Sequence, residues 1–215
     1  MSTSASIELR ELLAGQFPLS SEQLDALQAH YDLLRRWNRV LNLTAIDDVR
    51  EAADRHYGES LFLASHLPGE VLRIADIGSG PGFPGFPVAV VRPECTVTLI
   101  ESHQRKAVFL REASRNMKNV RVLSQRAESV QEEFDWVISR AVSYEDLGGT
   151  AARLAPAAAL LTGPEAPQSL GFSWNEPIRL PWGQTALPAD REPLFHVKQL
   201  CGRVSRETAS KFCFT

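Results

Sequence analysis

The chain has 215 residues, 44% of them hydrophobic and 23% charged, with a formal net charge of −3. That length suits one α/β domain with an added subdomain and is too short for two full domains. The weak acidity excludes a strongly basic nucleic-acid binder, and no apolar run approaches the ~20 residues that span a bilayer.

Two helices are predicted to open the chain. Ile7 to Leu13 gives a short amphipathic helix. Pro18-Leu19-Ser20-Ser21-Glu22-Gln23 then carries a start signal, with Ser20 as N-cap and Gln23 at capping-box spacing. Leu24, Leu27, Tyr31, Leu34 and Leu41 recur at three- and four-residue steps and mark one face of a long helix. Thr44 or Asp47 is the expected cap of a third helix running through Ala53, His56 and Leu61 to His66.

From residue 71 the pattern turns to strand–helix alternation. Strands are predicted at 71–77, 96–100, 120–123 and 135–139, and helices at 85–91, 103–116 and near 144–154. Ala157 to Leu161 gives a weaker fifth strand. Prolines at 164, 167, 177, 181, 188 and 193 exclude long helices beyond it, and Ile178–Leu180 with Leu194–Lys198 suggests a terminal hairpin. The alternation implies a doubly wound, mostly parallel sheet with right-handed crossovers. Residues 1–68 then form a helical extension packed on a core of residues 69–200, with 201–215 a disordered tail.

The stretch Asp76-Ile77-Gly78-Ser79-Gly80-Pro81-Gly82-Phe83-Pro84-Gly85 is the most specific in the chain. An apolar strand ending in an acidic residue and running into alternating glycines lets a ligand approach the main chain. This is the pattern that receives S-adenosyl-L-methionine in class I (Rossmann-like) methyltransferases, outside the carboxyl end of a parallel strand. Gly80 to Gly85 also satisfies the dinucleotide fingerprint Gly-x-Gly-x-x-Gly. The offset of Gly78 and the N–H missing at Pro84 favour the methyl donor over a pyrophosphate.

Other candidates follow the strand ends. Glu101, 25 residues after Asp76, stands where a carboxylate would accept the ribose hydroxyls. Ala127-Glu128 falls beside the expected adenine, and Arg140 ends the fourth strand, facing donor and acceptor unless it only pairs Asp135 or Glu145. The predicted helix after Glu101 presents Arg105, Lys106, Arg111, Arg115 and Lys118. Charge is uneven: residues 1–70 hold 6 Lys+Arg against 11 Asp+Glu, whereas residues 100–140 hold 8 against 6. RNA contact would thus rest on local patches. His30, His56, His66 and His103 share no metal spacing, and Cys95, Cys201 and Cys213 are an odd set of reduced thiols. No metal site is expected. Met1–Ser6 has no secretory signature, which leads to the expectation of a cytoplasmic protein.

Several motifs in register resemble one family. Arg36-Trp37-Asn38-Arg39-Val40-Leu41-Asn42-Leu43-Thr44, Arg55-His56 with Glu59-Ser60, the glycine turn, Glu101-Ser102 with Arg105-Lys106, Arg126-Ala127-Glu128 and Ser139-Arg140-Ala141 resemble the signatures of the RsmG (GidB) family. That family methylates N7 of a guanine in bacterial small-subunit ribosomal RNA. The resemblance implies donor binding at Gly78, Gly80, Phe83, Ala127, Glu128 and Arg140, with Glu101 and Ser102 near the ribose. It implies RNA contact at Arg36, Asn38, Arg39, Asn42, Arg55, His56, Arg105 and Lys106, with ribosomal RNA or the small subunit as partner; nothing in the sequence demands an oligomer, and a monomer is expected. Arg140 would orient donor or acceptor, with no general base. This chain departs from the family at Glu59, usually Asp, and at Pro156–Gly163, which lacks the usual Gly-Gly turn and lysine. The competing readings are a small-molecule methyltransferase, a nicotinamide-dependent reductase, and a non-catalytic donor-binding protein of the ribosome.

Overall fold

A computed structural model of the chain describes residues 8–70, 72–162, 172, 178–180 and 194–199. The expected tail, 201–215, lies outside the described residues. α1 (Leu9–Ala14) and α2 (Ser21–Leu41) come first. α2 begins where its sequence says it should: Ser20 Oγ accepts the Gln23 N–H, and the Gln23 side chain accepts the Ser20 N–H in return. It ends at Asn42, which takes the left-handed conformation at φ 47°.

The third helical stretch is built differently from the expectation. Its cap is Asp48, not Thr44 or Asp47; the Asp48 carboxylate accepts the N–H groups of Arg50 and Glu51. After α3 (Val49–Glu51) the backbone widens into a π-helical segment, Ala52–Gly58, before α4 (Glu59–His66). Thr44 is diverted to another task, described below.

Among the described residues the sheet has seven strands: β1 (Arg73–Ile77), β2 (Thr96–Ile100), β3 (Val120–Leu123), β4 (Trp136–Arg140), β5 (Ala157–Thr162), β6 (Ile178–Arg179) and β7 (Leu194–Gln199). Their order is β3-β2-β1-β4-β5-β7-β6. Strands β1 to β5 run parallel, while β7 is antiparallel to both β5 and β6. The mostly parallel sheet and its terminal hairpin match the expectation. Between them run α5 (Gly85–Val91), α6 (Gln104–Ala113), a 3₁₀ turn at Ala127–Ser129, and α7 (Tyr144–Leu154). Strand order reverses between β1 and β4, and that crevice is where open α/β sheets bind ligands.

Each sheet face has its own core. Alternation along β1 sends Ile74 to one face and Ala75 and Ile77 to the other. The first face also buries Val97, Leu99 and Ile138 against α2, α4, α5 and α6, so the N-terminal helices share its core. The second buries Val137, Ala158 and Leu160 against Leu147, Ala151 and Leu154 of α7. The alanine-rich segment 157–161 is thus an interior strand, covered on both faces.

Two substitutions probe this packing. Leu27→Ala removes a fully buried side chain of α2 and is expected to lower stability by about 2–5 kcal/mol. Ser20→Ala should cost about 1 kcal/mol through the lost cap. Urea unfolding monitored by circular dichroism checks both.

Candidate functional site

The turn joining β1 to α5 crosses the C-terminal ends of β1 and β2. Gly78, Gly80 and Gly82 take positive φ values of 71°, 54° and 100°, which side chains rarely adopt. Any Cβ at Gly78 would lie 2.4 Å from Val142 Cγ2, whereas one at Gly80 meets nothing closer than 3.8 Å. The turn is exposed at Gly78 and buried at Gly80, where a Cβ would be in ordinary contact with the Gly78 carbonyl oxygen.

Every amide N–H from Gly78 to Phe86 is engaged inside the protein. Gly78 and Ser79 donate to the Ile100 carbonyl at 2.9 and 3.2 Å, and Gly82 and Phe83 to the Ser79 carbonyl at 2.7 and 3.0 Å. Gly80 donates to Glu101 Oε2 at 2.9 Å and Gly85 to Asp76 Oδ2 at 3.0 Å. Phe86 donates to the Gly82 carbonyl at 2.7 Å, and residues 81 and 84 are prolines. A pyrophosphate cradle needs free N–H groups, and this turn offers none. The dinucleotide reading fails on that count.

Two carboxylates organise the turn. Glu101 is buried at the end of β2, its second oxygen accepting the His103 N–H at 2.7 Å. Asp76 is fully buried, and its Oδ1 has no hydrogen-bond partner among the described residues. Burial pushes the Asp76 carboxyl up to about 7, with the Gly85 N–H offsetting part of the shift. Ser102, on the loop that follows, is exposed.

Arg140, at the end of β4, meets two residues from the N-terminal helices. Its Nε lies 3.2 Å from Glu59 Oε2, and its Nη1 donates to His56 Nδ1 at 2.8 Å. Arginine only donates, so His56 Nδ1 is an acceptor and the ring proton sits on Nε2, 2.8 Å from Thr44 Oγ1. Thr44 is fixed in turn by Asn38, whose amide pairs with its N–H and carbonyl at 2.9 Å each. The His56 ring stacks on Phe83 of the glycine turn, with centroids 4.5 Å apart. Burial, and secondarily the Arg140 charge, pushes His56 down to about 3. Burial raises the Glu59 carboxyl and lowers the Arg140 guanidinium, and each charge partly restores the other. The pairing of Arg140 is with Glu59, not Asp135 or Glu145; Asp135 instead accepts the Arg73 N–H. Beside it, Ala141 holds φ 57°, a conformation unusual for a residue with a Cβ.

The remaining candidates divide by exposure. Ala127 is buried and Glu128 exposed on the 3₁₀ turn after β3. Arg153 of α7 holds that turn, donating to the carbonyls of Ala127, Glu128 and Val130. Nothing in the sequence pattern marks Arg153, because its partners are backbone atoms. Arg36, Arg39 and Arg105 are exposed and Lys106 is half-buried, and none of them forms an ion pair among the described residues. α2 and α6 meet where Trp37 packs edge-on against Phe109, so these cations flank one seam. Arg55 is exposed and pairs with Glu51, and Asn42 serves as the helix C-cap. Among the described residues no cluster of three or more His, Cys, Asp or Glu suits a metal, and no helix is long and apolar enough to cross a membrane.

Comparison with known proteins gives a consistent result. Residues 23–149 match a family model described as GidB, rRNA small subunit methyltransferase G. A ribosomal RNA small subunit methyltransferase G from Enterobacter sp. (strain 638) is 42% identical over 127 residues, covering 57% of this chain and 60% of that protein. One from Dichelobacter nodosus is 44% identical over 138 residues, covering 62% and 65%. The chain thus matches less than two thirds of the length of these curated relatives. Among solved structures, magnesium protoporphyrin IX methyltransferase from Synechocystis with bound SAH superposes with a TM-score of 0.55 at 14% identity, covering 84% of this chain and 100% of that one. TrmN from Thermus thermophilus gives 0.53 at 20% identity, covering 77% and 53%. These likenesses establish the class I methyltransferase fold.

The buried Asp76 makes a pH prediction. The folded protein holds its proton up to about pH 7, whereas an exposed aspartate ordinarily loses it near pH 3.8. Between those values the folded state binds more protons, so the Asp76 contribution to stability falls as pH rises. Asp76→Asn, neutral and similar in shape, is expected to stabilise the protein more at about pH 8 than at about pH 5 in urea unfolding.

Proposed function

The chain belongs to the GidB family, rRNA small subunit methyltransferase G, and on that premise we propose that it transfers a methyl group from S-adenosylmethionine to N7 of a guanine in small-subunit ribosomal RNA. The observation that carries the reading is the glycine turn, whose backbone is exposed at Gly78 yet has no N–H left for a phosphate. Such a surface suits a cationic, phosphate-free nucleoside. Gly78, Gly80 and Phe83 would line the donor, Glu101 and Ser102 its ribose, and Ala127 and Glu128 its adenine. Residues 1–68 serve as an extension on a core of residues 69–200.

The bound donor supplies an electrophilic methyl group on sulfur. Guanine N7 is a lone pair without a proton, so the protein needs no general base. Its task is to hold the acceptor in line, and positioning alone can lower a barrier by ~7–11 kcal/mol. Arg140 fits that task. With Nε on Glu59 and one Nη1 hydrogen on His56, it keeps three N–H groups in a fixed direction. Neutral His56 cannot push the guanidinium away, and Glu59 balances its charge. A well-ordered arginine can thus orient donor or acceptor without giving up a proton. The guanine edge bearing N7 faces a groove that side chains cannot enter in A-form RNA, so the target base is unpaired or splayed out.

RNA docking falls to the exposed cations of the α2–α6 seam, Arg36, Arg39 and Arg105, with Lys106 beside them. Asn38 and His56, whose side chains are used inside the protein, support the site from behind, together with the Asn42 cap; Arg55 stands at its outer edge.

The decisive experiment supplies labelled S-adenosylmethionine and unmodified bacterial small subunits and analyses the methylated base. The expected product is N7-methylguanine. Arg140→Ala should reduce kcat/KM by about 10²-fold or more, as loss of a positioning group does. Gly78→Ala should do so too, since its Cβ would strike Val142. Arg36→Ala with Arg105→Ala should weaken subunit binding and flatten its salt dependence while donor affinity holds. Label in another base, or none, would refute the reading.

A further inference from the structure

We infer that His30 and Tyr57 form a brace that sets the shape of the glycine turn: Tyr57 seats the His30 ring through Nδ1, and His30 holds the carbonyl of Pro81. The inference deepens the functional reading above and rests on it, because the turn matters as the donor's seat. Neither residue belongs to any motif that the sequence pattern singles out.

His30 lies in α2 with 2% of its surface exposed. Its Nε2 is 3.0 Å from the Pro81 carbonyl oxygen and its Nδ1 is 2.7 Å from the Tyr57 hydroxyl. A carbonyl only accepts, so the ring proton is on Nε2. The buried imidazole is neutral, which leaves Nδ1 as an acceptor and makes the tyrosine hydroxyl the donor. Exchanging the tautomer would set two acceptors against each other at Pro81, whereas the Tyr57 hydroxyl could turn to accept. The Pro81 carbonyl therefore fixes the tautomer, and the tyrosine holds the other nitrogen in place.

The ring is held as firmly as its hydrogen bonds. It stacks on Phe86 with centroids 4.1 Å apart and stands edge-on to Phe83 and Phe109 at 5.4 and 5.7 Å. The turn runs directly against it. A Cβ at Gly82 would lie 3.2 Å from His30 Nε2, so residue 82 is glycine both for its φ of 100° and for this approach.

At Pro81 the turn draws on the helical extension. The carbonyls of Ser79 and Gly82 accept N–H groups from the turn and from the start of α5. The Pro81 carbonyl accepts from His30, 51 residues away in sequence. The orientation of the 81–82 peptide thus depends on the helical extension. That peptide lies between Gly80 and Phe83, the two residues read above as donor contacts. An apolar side chain at 30 could fill the same volume, but it would leave the peptide free to turn and its carbonyl unsatisfied.

The test measures S-adenosylhomocysteine binding by calorimetry, with the full chain in four forms: unaltered, His30→Phe, His30→Gln and Tyr57→Phe. Thermal unfolding and ¹⁵N NMR of the His30 ring accompany it. The unaltered protein is expected to show the Nε2–H tautomer from about pH 5 to pH 8. His30→Phe keeps a stacked ring without a donor and should bind about tenfold more weakly, the weight of one hydrogen bond of ordinary strength. His30→Gln restores a donor and should recover part of the loss. Tyr57→Phe removes one oxygen, so it keeps the fold; it should leave Nδ1 without its donor, loosen the ring and weaken binding several-fold. Affinity within twofold of the unaltered protein in Tyr57→Phe and in folded His30→Phe would overturn the brace, as would an Nδ1–H tautomer. If the unaltered protein itself fails to bind, the donor reading falls and the inference with it.

Discussion

A turn that carries three residues at positive φ persists only where its polar backbone is satisfied, and here the satisfaction comes from three directions. The end of β2 supplies the Ile100 carbonyl and the Glu101 carboxylate, the end of β1 supplies Asp76, and α2 supplies His30. Each anchor lies on a different element, so the turn reports whether the sheet, α5 and the helical extension are all in place. Gly85 shows how close the fit is: a Cβ there would lie 2.4 Å from Leu99 Cδ2 and 2.6 Å from Asp76 Oδ2. What remains exposed is the backbone at Gly78, while Asp76 and Ser79 behind it are closed off from solvent.

The same closure explains the buried ionisable groups. Asp76 keeps an unpartnered oxygen at full burial, which is tolerable because the group stays protonated to about neutral pH. Arg140 and Glu59 are retained as a pair, since a buried charge without its partner would be strongly destabilising. Exposed pairs such as Arg55 with Glu51 contribute little by comparison. Electrostatic weight is therefore concentrated at the ends of β1, β2 and β4, where the strand order reverses.

The parallel sheet, the capping box at Ser20 and the glycine turn were legible because each rests on a local signal: period, spacing or a glycine cluster. The end of β4 was legible as a place, but the partner of Arg140 was not. Asp135 and Glu145 are near it in sequence, whereas Glu59 is brought to it only by packing. The π-helical segment at Ala52–Gly58 was hidden for a related reason, since its apolar pattern also fits a regular helix. His30 and Arg153 bind backbone carbonyls, which have no sequence identity, so no pairing of residue types could disclose them. Asp48 displaced Thr44 as a cap because Thr44 is held by Asn38 and His56.

The bond between His56 and Arg140 spans 84 residues of chain, and that distance bears on how the protein comes to be folded. Capping and helix formation in α2 need only neighbours, and α1 can pack on α2 once residue 41 has been made. His56 and Glu59 must wait for β4 to be synthesised and placed beside β1. Closing so long a loop costs more entropy than a local contact, although only by about 0.6 kcal/mol for each doubling of length. The greater consequence is kinetic, because chains whose contacts are distant in sequence fold slowly. Until Arg140 arrives, a buried carboxylate and an imidazole face an unfinished sheet edge. The residues that complete the site can thus meet only after β4 has been made and paired with β1.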